Sequence, residues 1–227
     1  MRALIFVLLI VLALPLLICG FVIYTWRVRR IVIPQNISGT ANEPFGGRLA
    51  MHVAGTYKDE VAYKIAQHTP GYGGIVRFLF WDTLGFCAKL SGFKGGFFAY
   101  PGPRPSTLMT MMSHRTHFFN QSIQDVLTRE DNPATQLVVL GAGFDTRCYN
   151  LPEGKDFKCF EVDMSPTLKA KKRALQLAEV AHDHVTFVET DFNQEIWLEA
   201  LLDSGFNPNL TTSVSYTHLT LPTICSV

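Results

Sequence analysis

The sequence predicts an α/β fold in three parts: an N-terminal transmembrane helix, a helical extension, and the first half of a parallel sheet covered by helices. Three observations predict it. Residues 3–26 are apolar throughout and hold no charge. From residue 136 onward, strand-like runs alternate with helix-like ones, the pattern of a parallel sheet with helices on its faces. Each strand-like run ends on a glycine or an acid, at the end where such sheets bind ligands. The units are 1–30, an anchor with its basic flank; 31–109, an extension read as a lid; 110–213, the half-sheet; and 214–227, an ending of different character.

The anchor comes first. At ~1.5 Å rise per residue, Ala3 to Trp26 spans a ~30 Å hydrocarbon core, and tilt absorbs the excess. Pro15 and Gly20 are tolerated inside a membrane helix, and Tyr24 with Trp26 stand where an interfacial aromatic belt belongs. A cleaved signal peptide is the competing reading, but its apolar core runs only ~7–15 residues and ends at small residues. Ile18-Cys19-Gly20 fits neither that site nor a lipid-modified cysteine box. Arg27, Arg29 and Arg30 follow the span and only Arg2 precedes it. The positive-inside bias therefore predicts a single-pass protein with its bulk on the cytoplasmic side. The sequons at Asn36, Asn120 and Asn209 carry weight only in a secretory lumen.

The extension is harder to read. Tyr57 to His68 has helical spacing, with Val61, Ile65 and Ala66 on one face. Gly73 to Leu90 reads as a more apolar helix bearing Phe78, Phe80, Trp81 and Phe86. Core packing is its expected role, with the membrane surface or a pocket cover as alternatives. Residues 91–107 are rich in Gly and Pro and read as a loop. Thr107 to Leu127 is one long helix. His114 and His117 are spaced i, i+3 on it, but no further ligands lie nearby, so packing is expected and no metal. Arg115 is placed on a different face from Phe118 and Phe119.

Gln136 to Gly143 is the first strand. "FKCFEVD", Phe157 to Asp163, is the second and ends on two acids separated by a valine. A helix follows over Ser165 to Val180, with Ser165 as its cap and Pro166 in its first turn. "HVTFVETD", His184 to Asp191, is the third strand, and Asn193 to Leu202 the next helix. The basic run "KAKKR", Lys169 to Arg173, falls within a helical pattern and reads as a solvated face.

Composition excludes some classes. The 227 residues carry a net charge of +1, and 48% are hydrophobic. That suits one ordinary domain plus an apolar segment, without the basic face of a nucleic-acid ligand. Five scattered cysteines with no C-x-x-C pair read as reduced thiols, not a disulfide framework or zinc site.

The glycine turn in "QLVVLGAGFDTRCYN" raises the question of which nucleotide it serves. A dinucleotide fold needs G-x-G-x-x-G/A running into a long helix whose N-terminus holds pyrophosphate. Thr146 replaces the third small residue here, and Asn150 and Pro152 interrupt any long helix. The pattern suits a ligand with a ribose and no pyrophosphate. Asp163, about 20 residues past the glycines, can take ribose hydroxyls, and Asp191 can accept from an exocyclic amine. S-adenosylmethionine has both groups.

"LGAGFDTRCYNLP", "FEVD" and "ETDF", in this order and preceded by "RTHFF", resemble the leucine carboxyl methyltransferase family, in its bacterial-type branch of S-adenosylmethionine-dependent O-methyltransferases. The resemblance implies a class I, Rossmann-like sheet and methyl transfer to a carboxylate or hydroxyl of an unknown acceptor. It further implies that Arg115 pairs with the methionyl carboxylate of the cofactor. Gly141 and Gly143 then admit its methionine part, Asp163 holds the ribose, and Asp191 with Phe192 borders the adenine. Asp145 and Arg147 brace the loop, and no general base is identified. A non-catalytic membrane-anchored nucleotide-binding scaffold is the alternative function, and an NAD-linked oxidoreductase a weaker one.

In the resembled family a fourth strand ending in a glutamate follows "LLDSGFNPNLTTSV". The ending "SYTHLTLPTICSV" does not resemble it and looks like translated sequencing-adapter read-through. The expectation is a foreign tail that packs poorly and leaves Leu137 to Leu140 as an open edge, in a truncated and inactive chain. The alternative is a divergent strand in which Val214, Tyr216 and Leu219 pair beside the first strand.

Overall fold

The computed structural model describes residues 1–102, 107–152, 157–193 and 196–216. Four strands, β1 (Gln136–Leu140), β2 (Lys158–Asp163), β3 (Val185–Glu189) and β4 (Thr212–Tyr216), form one parallel sheet in the order β3-β2-β1-β4. β1 is buried at every position, as expected of an apolar run covered on both faces. One face packs against α6 (Met111–Thr128), through Ile123 and Leu127 on Leu137, Val139 and Cys159. α7 (Ser165–Leu177) lies on the same face and α8 (Trp197–Asp203) on the other, where Leu201 meets Val138, Leu140, Phe160 and Val162. Alternate residues of each strand thus serve opposite layers.

Two expectations about α7 need correction. Met164 occupies the cap position and Ser165 is the first helical residue, with no side-chain cap bond. The basic run is also not uniformly solvated. Thr167, Leu168, Lys171, Ala174 and Leu175 are buried together, and their i, i+3, i+4 spacing marks one inward stripe. Lys171 falls on that stripe while Lys169, Lys172 and Arg173 stay exposed.

The expected open edge of β1 is covered. β4 pairs with it in parallel, Leu137 beside Ser213 and Leu140 beside Tyr216. Ser215 is buried, whereas Val214 and Tyr216 are about half exposed. The pairing alternative therefore describes Thr212–Tyr216; Leu219 and the rest of the ending, 217–227, lie outside the described residues.

The N-terminal half is helical. α1 (Arg2–Arg27) runs on through a π-helical turn (Val28–Val32), and together they are long and apolar enough to cross a membrane. α2 (Asn42–Ala54) and α3 (Glu60–Ala66) follow. α4 (Gly73–Val76), a π-helical segment (Arg77–Asp82) and α5 (Thr83–Ser91) then continue as one rod, 73–91. α2 was not legible, because Pro44, Gly46 and Gly47 break its periodic pattern. Its glycines are packing notches: a Cβ at Gly46 would overlap the Trp81 ring, and one at Gly47 would lie 2.6 Å from Met112. The rod has two characters. Val76, Gly85, Cys87 and Ala88 are buried, but Ile75, Phe78, Phe86 and Leu90 are more than half exposed. Core packing describes only its inner face.

Candidate functional site at the strand ends

At the carboxyl end of β1 the chain turns through Gly141 (φ +62°) and Gly143 (φ +48°). Both sit in the left-handed region that side chains other than glycine rarely adopt. The Gly143 N–H donates to one carboxylate oxygen of Asp163 at 2.6 Å, and the Met164 N–H donates to the other at 2.7 Å. Asp163 thus locks the turn after β1 to the end of β2. Burial raises its pKa, and the two N–H donors oppose that shift.

Among the described residues, a 3-10 turn, Arg147–Tyr149, follows the glycine turn, and no long helix does before β2. Thr146, standing where a dinucleotide loop has its third small residue, is fully buried. Its hydroxyl donates to Asp59 at 2.6 Å and accepts from Arg48 at 3.0 Å. Arg48 also donates to Asp59 at 3.0 Å and lies 3.8 Å from Asp145. Asp59 caps α3 by accepting from the Ala62 N–H, and Asn150 donates to it as well. The residue that departs from the dinucleotide pattern is therefore the one that fastens the loop to the extension.

Asp145 is braced by Arg147, whose Nε donates to both carboxylate oxygens at 2.8–2.9 Å and whose Nη2 adds a further contact. Desolvation presses the Asp145 pKa upward, but Arg147 and Arg48 hold it well below the usual carboxylate range. Desolvation likewise works against the Arg48 charge, and the fields of Asp145 and Asp59 raise its pKa above the ordinary value. Beneath the loop, Lys171 and Glu161 form a fully buried ion pair at 2.6 Å, and the Lys171 ammonium also donates to the Asp145 carbonyl at 2.6 Å. Burial pushes the Glu161 carboxyl up, against the pull of Lys171.

These elements enclose a cleft of about 230 Å³ at the carboxyl ends of β1, β2 and β3. β2 and β4 flank β1 on opposite sides, and such a switch point is where open parallel sheets bind ligands. Five of the six sequence candidates line the cleft: Gly141, Gly143, Asp163, Asp191 and Phe192. Asp191 is partly exposed, its Oδ1 accepting from the Asn193 backbone at 3.0 Å. Arg115 is not among the lining residues. Its guanidinium lies 5.6 Å over the Phe119 ring, so it shares a face with Phe119, as i, i+4 spacing dictates and contrary to expectation. Arg147 sits 4.8 Å over the same ring. Sequence reasoning missed the opposite wall, Thr40, Phe45 and Arg48, which comes from the unread α2 and the segment before it. Chemically the cleft offers close backbone approach, strand-end carboxylates as acceptors and an aromatic edge.

A sequence model of the family described as leucine carboxyl methyltransferase matches residues 100–221. YktD of Bacillus subtilis (strain 168), named as a candidate S-adenosyl-L-methionine-dependent methyltransferase, is 40% identical over 80 residues, 34% of this chain and 26% of its own. Like-named proteins of Mycobacterium sp. (strain KMS) and Parafrankia sp. (strain EAN1pec) are 37% identical over 101 residues and 32% over 114. Those segments cover 43% and 47% of this chain, and 36% and 35% of theirs. The chain thus matches about a third of the length of these relatives. A match across the whole sheet unit exceeds what one Gly-x-Gly turn produces, and the chain belongs to the leucine carboxyl methyltransferase family.

Proposed function

We propose that the chain carries the cofactor-binding part of an S-adenosylmethionine-dependent O-methyltransferase held at a membrane by α1. The observation that carries the reading is the convergence of Gly141, Gly143, Asp163 and Asp191 on one cleft whose loop lacks a phosphate-holding helix. The cleft suits this cofactor on physical grounds. A Cβ at Gly143 would lie 2.8 Å from Ala41, so the turn keeps its backbone close to the opposite wall. Asp163 holds its carboxylate fixed by two N–H donors, with lone pairs left for ribose hydroxyls.

In this reading Asp163 takes the ribose, Asp191 and Phe192 border the adenine, and Gly141 with Gly143 admits the methionine part. Arg115 is assigned the methionyl carboxylate, which requires its guanidinium to turn from Phe119 toward the cleft. Bound S-adenosylmethionine supplies a sulfonium methyl, which an acceptor oxygen takes by in-line displacement. A carboxylate acceptor is already ionised at neutral pH, so the protein's part is to orient it and exclude water. A hydroxyl acceptor needs a base, and Asp145, engaged by two arginines, is not offered as one. The 31–109 extension acts as the lid, through Phe45 and Arg48. The basic flank Arg27, Arg29 and Arg30 keeps the sheet unit on the cytoplasmic side.

Titration calorimetry with S-adenosylhomocysteine and with NAD tests the proposal. Binding of the first and no response to the second is expected; the reverse result would refute it.

A further inference from the structure

The charge of the chain is divided between its halves. Residues 1–124 hold twelve Lys and Arg against four Asp and Glu, while residues 125–227 hold eight against fifteen. The acidic surplus lies with the sheet and the basic surplus with the apolar helices. Of the four acids in the first half, Asp59 is paired with buried Arg48 and Asp82 with Arg77. Glu60 stands beside Lys58.

α1 and the 73–91 rod lie antiparallel along their whole length. Arg2 approaches Gly92, Phe6 stacks on Phe93 at 4.5 Å, Gly20 rests on Leu79 and Phe80, Tyr24 lies 5.6 Å from Tyr72, and Arg27 reaches Gly73. The other side of the rod is fastened to α2, Gly46 against Trp81 and Gly85 against Ala50 and Val53. α2 in turn walls the cleft. α1 and α2 thus both pack on the rod, which keeps an exposed face of its own, and α2 carries the cleft wall in the same packed body.

That arrangement decides how α1 can meet a bilayer. Were the packed body to place α1 across the membrane, the rod with Arg77 and Asp82 would enter hydrocarbon at the same depth. α2 and α3 would follow with Arg48, Asp59, Glu60 and Lys64, and charges there are costly. The outward surface of the pair is instead apolar. Leu8, Leu12 and Val22 of α1 and Ile75, Phe78 and Phe86 of the rod are each more than half exposed. Exposed bases stand at both ends of this slab: Arg2, Lys89 and Lys94 at one, Arg29 and Arg30 at the other. Three arginines follow α1 and only Arg2 precedes it, but Lys89 and Lys94 join Arg2 to give the pair bases at both ends, as a slab lying on one anionic leaflet requires.

We propose that α1 and the 73–91 rod lie side by side in the plane of one leaflet, as a two-helix monotopic seat with both ends of α1 on the same side. Their outward faces enter the acyl region and the terminal bases meet anionic headgroups. The cleft is then held at a fixed height above the lipid. The inference rests on the reading of α1 as lipid-embedded and replaces a crossing helix with an in-plane one.

Cysteine accessibility in the full-length chain tests it. Arg2→Cys, Arg29→Cys and Lys169→Cys are introduced singly in a Cys19→Ser, Cys225→Ser background. A membrane-impermeant maleimide is then applied to spheroplasts and to inverted vesicles of the expressing cells. All three sites are expected to react in inverted vesicles and none in spheroplasts. Reaction of Arg2→Cys from the opposite side to the other two would overturn the in-plane seat and leave the membrane reading standing. Release of the protein by alkaline wash would overturn both. Spin labels at Phe78→Cys and Phe86→Cys are expected to collide with oxygen more than with a water-soluble nickel complex. The opposite order would remove the rod from the seat even with both ends of α1 on one side.

Discussion

The sheet unit and the helical half of this molecule hold their shapes by different means. In the sheet unit, strand-end acids and a buried ion pair fix loop to strand: Asp163 to the glycine turn, and Lys171 to both Glu161 and the Asp145 carbonyl. In the helical half, apart from the buried Arg48–Asp59 pair, close approach does the same, with Gly46, Gly47 and Gly85 letting Trp81, Met112 and Val53 lie against backbone. The first kind of fixing depends on charge and is sensitive to any unpaired group. The second depends on volume and is sensitive to a single methyl. The lesson is that the cleft, built between them, inherits both sensitivities.

The largest expected effect is on the sheet side. Lys171→Met leaves Glu161 buried without its counter-charge, and breaking such a pair costs about 3–5 kcal/mol. Denaturant unfolding should show a loss of that size. The double variant Lys171→Met, Glu161→Leu should regain most of it, because an apolar pair of similar volume needs no compensation. A Lys171→Met protein as stable as the parent would mean that the pair does not hold the loop.

Gly46→Ala probes the other side. Alanine favours helix by about 1 kcal/mol over glycine, but its methyl would overlap the Trp81 ring, and overpacking of this kind costs about 1–3 kcal/mol. Net destabilisation is expected by thermal unfolding. Trp81→Phe, which removes the ring atoms concerned, should relieve part of it in a double-mutant cycle. Stabilisation by Gly46→Ala alone would show that α2 and the rod are not in close contact.

This contrast also explains what was legible. β1, β2, β3 and the strand-end residues Gly141, Asp163 and Asp191 follow from periodicity and from where acids fall in it. α2 was invisible because the glycines that let it pack are those that lower helix propensity, and with it went Phe45 and Arg48. Lys171 was misread although its signal was present: it lies three residues after Leu168 and four before Leu175, on the inward stripe. A local count of charges hid what the helical period states. The pairing of Thr146 with Asp59 had no sequence signal, since the partners are 87 positions apart.

Ligand binding joins the two halves and titrates. Asp163→Ala should weaken S-adenosylhomocysteine binding by about 1–3 kcal/mol, the scale for losing charge-assisted hydrogen bonds. Burial has raised the Asp163 pKa above the ordinary Asp value of ~3.9. Its carboxylate is therefore protonated, and its charge-assisted acceptor strength lost, at a higher pH than an exposed aspartate's. Because its folded-state pKa is raised, protonating it does not oppose folding. Asp145 has the opposite sign. Its folded-state pKa is depressed, so the stability it contributes is full above ~3.9 and is lost only as pH falls toward its folded-state value. Lowering the pH should thus weaken ligand binding before it loosens the fold. Asp163→Asn should remove that pH dependence of binding, and calorimetry across the acid range checks it. Loss of binding and unfolding at one pH in the parent would contradict the assignment.

The smallest effect concerns β4, where the sheet is fixed least. Its two neighbours in the strand, Val214 and Tyr216, are about half exposed, so little apolar burial holds it against β1 beyond the backbone ladder. Ser215 is the exception: buried, with its hydroxyl accepting from Arg147 Nη1 at 2.7 Å. Through that bond β4 is tied to the same arginine that braces Asp145 in the cleft. Ser215→Ala removes the acceptor but leaves Arg147 its carboxylate partner, so a loss of about 1 kcal/mol is expected, typical of one hydrogen bond. The distinguishing readout is amide hydrogen exchange. If β4 is held by this bond and the ladder, protection should fall at Ser213 to Tyr216 while the amides of β2 stay unchanged. An equal fall in both strands would show that β4 unfolds only with the whole sheet, and that the open side of β1 is as firmly closed as the side that faces β2.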